Sequence, residues 1–272
     1  MGAFVGLAPS ALRGGVGAVK NGGGMSHLMS MDPARPTPRC TAILVGAGSS
    51  RRMGMDKLAW SLDGIPVLRR SLEAFLAADS ICAVVVVCPP ARWKLFDGRE
   101  FSKPVMRVDG GESRQDSVMR GLAALDGQSG WVAVHDGARP LIAPDDIDRC
   151  VAAAIEHRAA ALARRVTETM QRSDDGDFSA MPVARDHLWC METPQVFEAA
   201  MLRDAYALVT ERGLIVTDEV CALQTFGVPV KFVASQHPNL KITTPADLVL
   251  AESLLRCRPA SVATPEIQII TP

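Results

Sequence analysis

The sequence has little net charge, no long apolar run and no internal repeat. Its 29 Lys and Arg residues nearly balance 30 Asp and Glu residues, and the formal net charge at pH 7 is -1. No global basic field therefore attracts nucleic acid, and any phosphate affinity has to come from local clusters of charge. The longest apolar runs, such as AVVVVC at Ala83–Cys88, are far too short to cross a bilayer. We expect neither a nucleic acid nor a membrane as a partner.

Motifs for metal binding and for nucleophilic catalysis are also scarce. The seven cysteines are scattered, odd in number and without CxxC spacing. This pattern indicates reduced thiols in a cytoplasmic protein and no structural zinc site. The chain has no Ser-His-Asp order and no metal-binding pair of histidines. The remaining candidates are glycine-containing loops, cations and carboxylates.

Composition divides the 272 residues into three parts. Residues 1–39 contain the glycine-rich GGVGAVKNGGG and the proline-rich MDPARPTPR, so we expect a disordered extension there. Residues 40–258 carry regular hydrophobic patterns and are long enough to bury a core. Residues 259–272 are expected to form a C-terminal tail.

From Cys40 onward, apolar runs alternate with segments of helical period. Strands that are apolar throughout favour an α/β fold with a mostly parallel sheet covered on both faces. A hairpin around SDDGD, within residues 162–196, is expected to project from the sheet as an arm. The predicted strands are CTAILV, ICAVVVVC, PVMRVDGG, GWVAVHDGARP, VKFVAS and LKITT. The predicted helices are VLRRSLEAFLAA, RQDSVMRGLAAL, PDDIDRCVAAAIE, EAAMLRDAYALVTERG, DEVCALQTFG and TTPADLVLAESLL.

The first strand runs into the loop GAGSSRRMGMDK, which is one of the two most polar strand exits. In open α/β sheets, ligands bind beyond the carboxyl ends of the strands. Backbone N–H groups in a glycine-containing turn can cradle phosphate oxygens, and the following cations have the right sign for a polyphosphate. The loop is neither a Walker A motif nor GxGxxG, so a plain surface loop with solvated cations remains an alternative. The residues concerned are Gly46, Ala47, Gly48, Arg51, Arg52 and Lys57.

The second polar exit is HDGARP. Asp136 could hold Mg²⁺, which takes oxygen ligands and keeps several waters, or it could simply be an acid that forms the turn. Arg139 could orient Asp136 or contact phosphate, and His135 is expected to be structural. In DGGESRQDS, Gly110 and Gly111 allow close backbone approach of a ligand, although the segment could also be an ordinary helix start.

These motifs together resemble the 2-C-methyl-D-erythritol 4-phosphate cytidylyltransferase family. The resemblance covers about Thr41–Leu255, and the opening loop alone is shared by many nucleotidyltransferases. It implies a Rossmann-like, GT-A-like nucleotidyltransferase fold with the projecting arm. The motifs, in the family's order, are GAGSSRRMGMDK, DGGESRQDSV, VHDGARP, TETM, ARDHLW, TPQVF, TDE and NLKITTPADLVLAE.

The resemblance implies transfer of CMP from CTP to the phosphate of methylerythritol phosphate, with release of pyrophosphate. By match to the family's motifs, Arg52 and Lys57 would stabilise the transition state, while Arg185 and Lys241 would position methylerythritol phosphate. Asp136 would hold Mg²⁺. The nucleotide pocket would be lined by Gly46, Ala47, Gly48, Gly111, Glu112, Ser117 and Gly137. Thr169, Thr193 and Arg139 would face the substrate, and exchange of the arm between subunits implies a homodimer.

Several departures from the family pattern keep other interpretations open. Val45 stands for a proline, Ser50 for a glycine and Gln171 for a common lysine. The alternatives are a cytidylyltransferase for another polyol phosphate, such as ribitol 5-phosphate, and a molybdopterin-type nucleotidyltransferase. A catalytically silent nucleotide-binding module is the alternative outside enzymes.

Overall fold

A computed structural model of the chain describes residues 40–48, 54–125 and 130–257. The predicted extension at 1–39, the predicted tail at 259–272 and the predicted catalytic Arg52 lie outside the described residues. No helix in the described ranges is long and apolar enough to span a bilayer.

Seven strands form the central sheet in the order β11-β7-β10-β6-β1-β4-β5. All neighbouring pairs are parallel except the two made by β10, which runs antiparallel to both β6 and β7. The strands of this sheet are β1 (Cys40–Val45), β4 (Ile81–Val87), β5 (Val105–Val108), β6 (Trp131–Asp136), β7 (Ala159–Arg165), β10 (Trp189–Glu198) and β11 (Lys231–Ala234). The sheet is therefore mostly parallel, as predicted.

Helices cover both faces of the sheet. In β1, Ala42 and Leu44 point into one hydrophobic cluster, while Ile43 points into the other. The first cluster includes side chains of α1, α4 and α7, and the second includes those of α3, α5 and α6. The α-helices are α1 (Val67–Ala77), α2 (Pro90–Trp93), α3 (Arg114–Ala123), α4 (Pro144–His157), α5 (Ala199–Glu211), α6 (Glu219–Thr225) and α7 (Pro245–Arg256).

Two small hairpins lie outside the central sheet. One pairs β2 (Ser61–Leu62) with β3 (Ile65–Pro66), and the other pairs β8 (Met170–Ser173) with β9 (Ser179–Val183). Every residue of β8 and β9 is exposed. This second hairpin occupies the middle of the predicted arm, whereas both ends of the range 162–196 belong to β7 and β10 of the central sheet.

The prediction of a strand at LKITT was wrong. Residues 240–244 form no ladder; instead they cross the loop after β6, where the Ile242 N–H donates to the Ala138 carbonyl at 2.8 Å. Apolar alternation in this segment reflects burial of Ile242 against that loop. The helix predicted within TTPADLVLAESLL is present as α7, which begins at Pro245, and the Asp247 carboxylate accepts from the Thr244 N–H at 2.7 Å.

Candidate active site

Asp136, the last residue of β6, is surrounded by three cations. Its Oδ1 accepts from Arg114 Nε at 3.1 Å, and its Oδ2 accepts from Lys241 Nζ at 2.8 Å. Arg139 Nε lies 3.8 Å from Oδ2. Burial alone would raise the pKa of Asp136, but the three cations hold it well below its usual range. These four residues, which we call the Asp136 cluster, keep one ionised carboxylate amid positive charge.

Arg114 is held in place by a buried carboxylate. Glu219 is fully buried and accepts from Arg114 Nη1 at 2.7 Å and Nη2 at 3.0 Å. The Tyr206 hydroxyl donates to the same carboxylate at 2.8 Å. Burial and the Glu219 charge raise the pKa of Tyr206 above its ordinary range, so the hydroxyl stays protonated. A bidentate pair of this kind fixes the direction of Arg114 towards Asp136.

Sequence reasoning missed Arg114, Tyr206 and the role of Glu219. In the sequence, Asp218 and Glu219 stand side by side in the TDE motif, and nothing there separates their roles. In the structure only Asp218 caps α6, accepting from the Cys221 N–H at 2.9 Å. The sequence shows only two acidic residues before an apolar helix. This pattern cannot identify Arg114, 105 residues away, as the partner of Glu219.

Thr193 lies next to Asp136, because antiparallel β10 begins at the same edge of the sheet where β6 ends. Its Oγ1 accepts from the Asp136 N–H at 3.1 Å and contacts His135 Nδ1 at 3.0 Å. His135 is fully buried, and burial lowers its pKa to about 3. The imidazole is therefore neutral at pH 7. The structure brings the predicted Thr193 to the site, with its hydroxyl engaged by the backbone.

Arg139 was predicted to face the substrate, and two buried polar atoms near it have no partner. Its Nη1 donates to the Asn239 carbonyl at 2.7 Å and its Nη2 to the Met191 carbonyl at 3.3 Å. The Nε of Arg139 and the Oδ1 of Asn239 are buried without a hydrogen-bond partner in the described part of the chain. Native proteins seldom leave buried polar atoms unpaired. Of these two atoms, Arg139 Nε lies 3.8 Å from Asp136 Oδ2, so a donor without a hydrogen-bond partner is present next to that carboxylate.

The glycines of the predicted nucleotide pocket fall into two groups. The amides of Gly46 and Gly137 are used within the sheet edge, donating to the carbonyls of Val87 at 2.8 Å and Val45 at 2.9 Å. A Cβ on Gly137 would lie 2.5 Å from a Leu68 methyl group, so this position requires glycine for packing. Gly46 and Gly137 therefore shape the edge of the sheet.

Gly48 and Gly110 are different. A Cβ on Gly48 would meet no atom within 4 Å, which leaves that position open. A Cβ on Gly110 would come within 2.1 Å of the Ala47 Cβ. Because only glycine permits this approach, Ala47 after β1 and Gly110 after β5 can lie side by side.

The start of α3 has the geometry of an ordinary helix start. Close approach of a ligand to Gly110 and Gly111 stays a prediction. Ser113 and Asp116 form a capping box, as in an ordinary helix start. Ser117 is buried, and its Oγ accepts from the Gly111 N–H at 3.1 Å. Glu112 is exposed at the same turn. The predicted Gly111 and Glu112 therefore lie in the turn before α3, and Gly111 is bonded to Ser117 in the first turn of that helix.

Two predicted cations meet on the segment before α7. Lys57 Nζ donates to the Ile242 carbonyl at 2.7 Å, and Lys241, the preceding residue, pairs with Asp136. Lys57 is thus hydrogen-bonded to the backbone of residues 240–244, the segment that also carries Lys241.

The arm residues Thr169 and Arg185 lie apart from the Asp136 cluster. Both are exposed, and Arg185 donates to the Thr167 carbonyl of the same arm. Among the described residues, no hydrogen bond or ion pair joins either of them to the cluster.

Asp136 suits a magnesium ion that takes most of its ligands from water and from a substrate. The described ranges contain no group of three or more His, Cys, Asp or Glu side chains that could enclose a metal. Mg²⁺ commonly uses one or two carboxylates together with waters and substrate phosphates. The donor set therefore suits a magnesium ion that arrives with a nucleotide.

A mostly parallel α/β sheet with a cation-ringed carboxylate at its carboxyl edge agrees with the nucleotidyltransferase class that the motifs predict. Residues 40–257 match the family model of 2-C-methyl-D-erythritol 4-phosphate cytidylyltransferase. The chain belongs to this family. The family and fold class predicted from the motifs are thus confirmed, as is the function: a nucleotidyltransferase acting with CTP in isoprenoid biosynthesis.

Relatives and solved structures agree with this assignment. The chain is 37% identical over 232 residues to 2-C-methyl-D-erythritol 4-phosphate cytidylyltransferase of Pelotomaculum thermopropionicum, covering 83% of this chain and 98% of the relative. The chloroplastic enzyme of the same name from Oryza sativa is 38% identical over 79% of this chain and 74% of its own length. The crystal structure of the enzyme from Thermus thermophilus is 32% identical with a TM-score of 0.66, covering 79% of this chain and 98% of that one. The 4-diphosphocytidyl-2C-methyl-D-erythritol synthase of Anaerococcus prevotii is 25% identical with a TM-score of 0.72, covering 81% and 100%.

Proposed function

We propose that the Asp136 cluster is where the phosphate of 2-C-methyl-D-erythritol 4-phosphate attacks the α-phosphorus of CTP. A phosphate oxygen forms the new P–O bond while the bond to the β-phosphate oxygen breaks, and pyrophosphate leaves with that electron pair. No covalent enzyme intermediate is needed. Charge stabilisation and positioning supply the catalysis in such a transfer. The supporting observation is that three cations lie within 3.8 Å of one carboxylate at the carboxyl edge of the sheet.

The loops after β1 and β5 would bind the nucleotide. The close approach of Ala47 and Gly110 supports one pocket between them. Its proposed lining is Gly46, Ala47, Gly48, Gly111, Glu112, Ser117 and Gly137. Lys57 and Arg52 would stabilise the negative charge that develops on the phosphate oxygens in the transition state.

Lys241 and Arg139 would bind the phosphate of the second substrate. Lys241 is 39% exposed while it pairs with Asp136, so its ammonium group can reach an incoming anion. The unpartnered Nε of Arg139 supplies a further donor on the same side.

Magnesium would be held by Asp136 and by the phosphates of CTP. The bound ion would neutralise phosphate charge. Asp136 is suited to this role because its carboxylate stays ionised, and Arg114 stays fixed by Glu219 whether or not Lys241 remains paired.

We also propose a homodimer in which the arm of one subunit completes the site of its partner. Within the described part of the chain, no hydrogen bond or ion pair joins Thr169 or Arg185 to the Asp136 cluster of the same subunit. Apolar side chains on the arm are exposed in the single chain, which favours a protein partner. They are Met170, Phe178, Met181 and Val183, with Phe178 76% exposed.

A cytoplasmic location is proposed from the cysteines. All seven are free, and four of them are only partly buried or exposed. Unpaired thiols of this kind persist in a reducing compartment.

The test is pyrophosphate release by the purified protein with CTP and Mg²⁺. We expect fast release with 2-C-methyl-D-erythritol 4-phosphate and little with ribitol 5-phosphate. Release only with ribitol 5-phosphate would keep the mechanism and reassign the substrate. Release with neither would reject the proposed chemistry and favour a silent nucleotide-binding module.

A further inference from the structure

The Arg92 side chain is buried, and its position depends on how the chain turns after β4. Pro89 and Pro90 end that strand, and the Arg92 N–H donates to the Pro89 carbonyl at 3.0 Å in the single turn of α2. The next residue, Trp93, packs on Phe96 with ring centroids 5.2 Å apart. With Trp93 anchored in this aromatic group, the Arg92 side chain turns under the loop after β1 and is only 8% exposed.

The Arg92 guanidinium contacts both described ends of that loop. Nη1 donates to the Gly46 carbonyl, and Nη2 donates to the Gly48 carbonyl at 3.2 Å. Nε donates to Asp56 Oδ2 at 2.9 Å. The other oxygen of Asp56 accepts from the Leu58 N–H at 3.1 Å, which fixes the carboxylate. One side chain therefore ties the start of the loop to its end.

These contacts set the direction of a backbone amide. In a planar trans peptide the C=O and the N–H point in opposite directions. Because the Gly46 carbonyl points at Arg92, the Ala47 N–H points away from Arg92. The Asp56 contact also holds the backbone immediately before Lys57, whose ammonium group reaches Ile242.

We propose that Arg92 is a positioning residue for the nucleotide: it holds residues 46–48 and 56–58, the two described ends of the loop, in the arrangement that binds the phosphates of CTP. The inference deepens the proposed function and rests on it. A lysine cannot replace Arg92, because three acceptors in different directions require the planar fork of a guanidinium. Substitution of Arg92 should therefore raise the KM for CTP and leave the KM for the second substrate nearly unchanged.

Arg70 provides a matched control. It is also a mostly buried arginine that holds a turn through backbone carbonyls, donating to Leu62 at 2.7 Å and Asp63 at 3.1 Å. That turn joins β2 to β3 and takes no part in the proposed site. Arg70→Met therefore removes the same kind of contacts with no expected change in the KM for CTP.

The experiment compares Arg92→Met, Arg92→Lys and Arg70→Met by steady-state kinetics. Loss of hydrogen bonds to a charged group should raise the KM for CTP about tenfold in both Arg92 variants. The KM for 2-C-methyl-D-erythritol 4-phosphate should stay within about twofold of the original, which is near the noise of such measurements. An unchanged KM for CTP in Arg92→Met, or a full restoration by lysine, would overturn the proposal.

Hydrogen exchange separates this inference from the proposed function. Peptides that include residues 46–48 or 56–58 should exchange faster in Arg92→Met than in the original protein or in Arg70→Met, and added CTP should restore less protection in Arg92→Met. Unchanged exchange would refute the Arg92 assignment even if the protein is an active enzyme. If the original protein released no pyrophosphate, the proposed function would fail. Faster exchange in Arg92→Met would then still support its hold on the loop.

Discussion

Lys241 donates a 2.8 Å hydrogen bond to Asp136, so the cation proposed for one substrate is paired with the carboxylate proposed for the other. The carboxylate retains Arg114 as a second partner through its other oxygen. Lys241 can therefore leave Asp136 without leaving a buried charge unpaired. Under the proposed roles, this arrangement would link binding of the two substrates to one carboxylate.

Asp136→Asn should cut kcat by on the order of a hundredfold or more, the size typical for losing one group that stabilises charge in the transition state. The amide keeps the shape but cannot balance three cations. Pyrophosphate release at saturating substrates is the measurement. Asp148→Asn is the control, since Asp148 accepts from the Ser80 N–H at 2.9 Å and lies outside the site. Comparable activity of Asp136→Asn and the control would contradict the assigned role.

Glu219→Gln should destabilise the fold by about 3 kcal/mol, because it removes one partner of a buried ion pair. Tyr206→Phe should cost about 1 kcal/mol, the usual value of a single hydrogen bond. Denaturant unfolding of both variants and of the double variant measures these values and their coupling. If the two single changes were simply additive, Tyr206 would not act through Glu219.

Stability should fall as the pH drops below about 6.5, the ordinary pKa of histidine. His135 has its pKa lowered to about 3 in the folded protein, so the unfolded chain binds this proton first. The contribution is fully present above pH 6.5 and is lost progressively as the pH falls towards 3, with a slope of up to about 1.4 kcal/mol per pH unit.

His135→Gln should flatten that slope between pH 6.5 and 5, measured as the free energy of unfolding at several pH values. His157→Gln serves as the control because His157 is exposed. A slope equal to that of the original protein in His135→Gln would show that other groups cause the loss of stability.

The parts of the fold predicted from sequence were those set by local patterns. The apolar run of β1, the helical period of α1 and the start of α7 at Pro245 each depend on neighbouring residues. LKITT was assigned wrongly because its apolar residues pack on a loop that only the tertiary fold brings near. Arg114 and Arg92 escaped prediction for the same reason: their partners, Glu219 and Gly46, are distant in the sequence. Family resemblance predicted roles for Asp136 and Lys241, which remain predictions, but it did not indicate that the two side chains contact each other.

The proposed exchange of arms between subunits predicts complementation between two inactive variants. Asp136→Asn damages the body of a subunit, and Arg185→Ala damages its arm, where Arg185 is exposed and bonded to Thr167. If each arm serves the partner's site, a mixed dimer contains one site built from an intact body and an intact arm. Co-expression of the two variants with different affinity tags, followed by purification through both tags, should then recover pyrophosphate release that neither variant shows alone.

If each arm served its own subunit, every site in the mixed dimer would carry one lesion and activity would stay at the level of the separate variants. Purification through both tags also tests association directly, since a monomeric protein would not be retained on the second column.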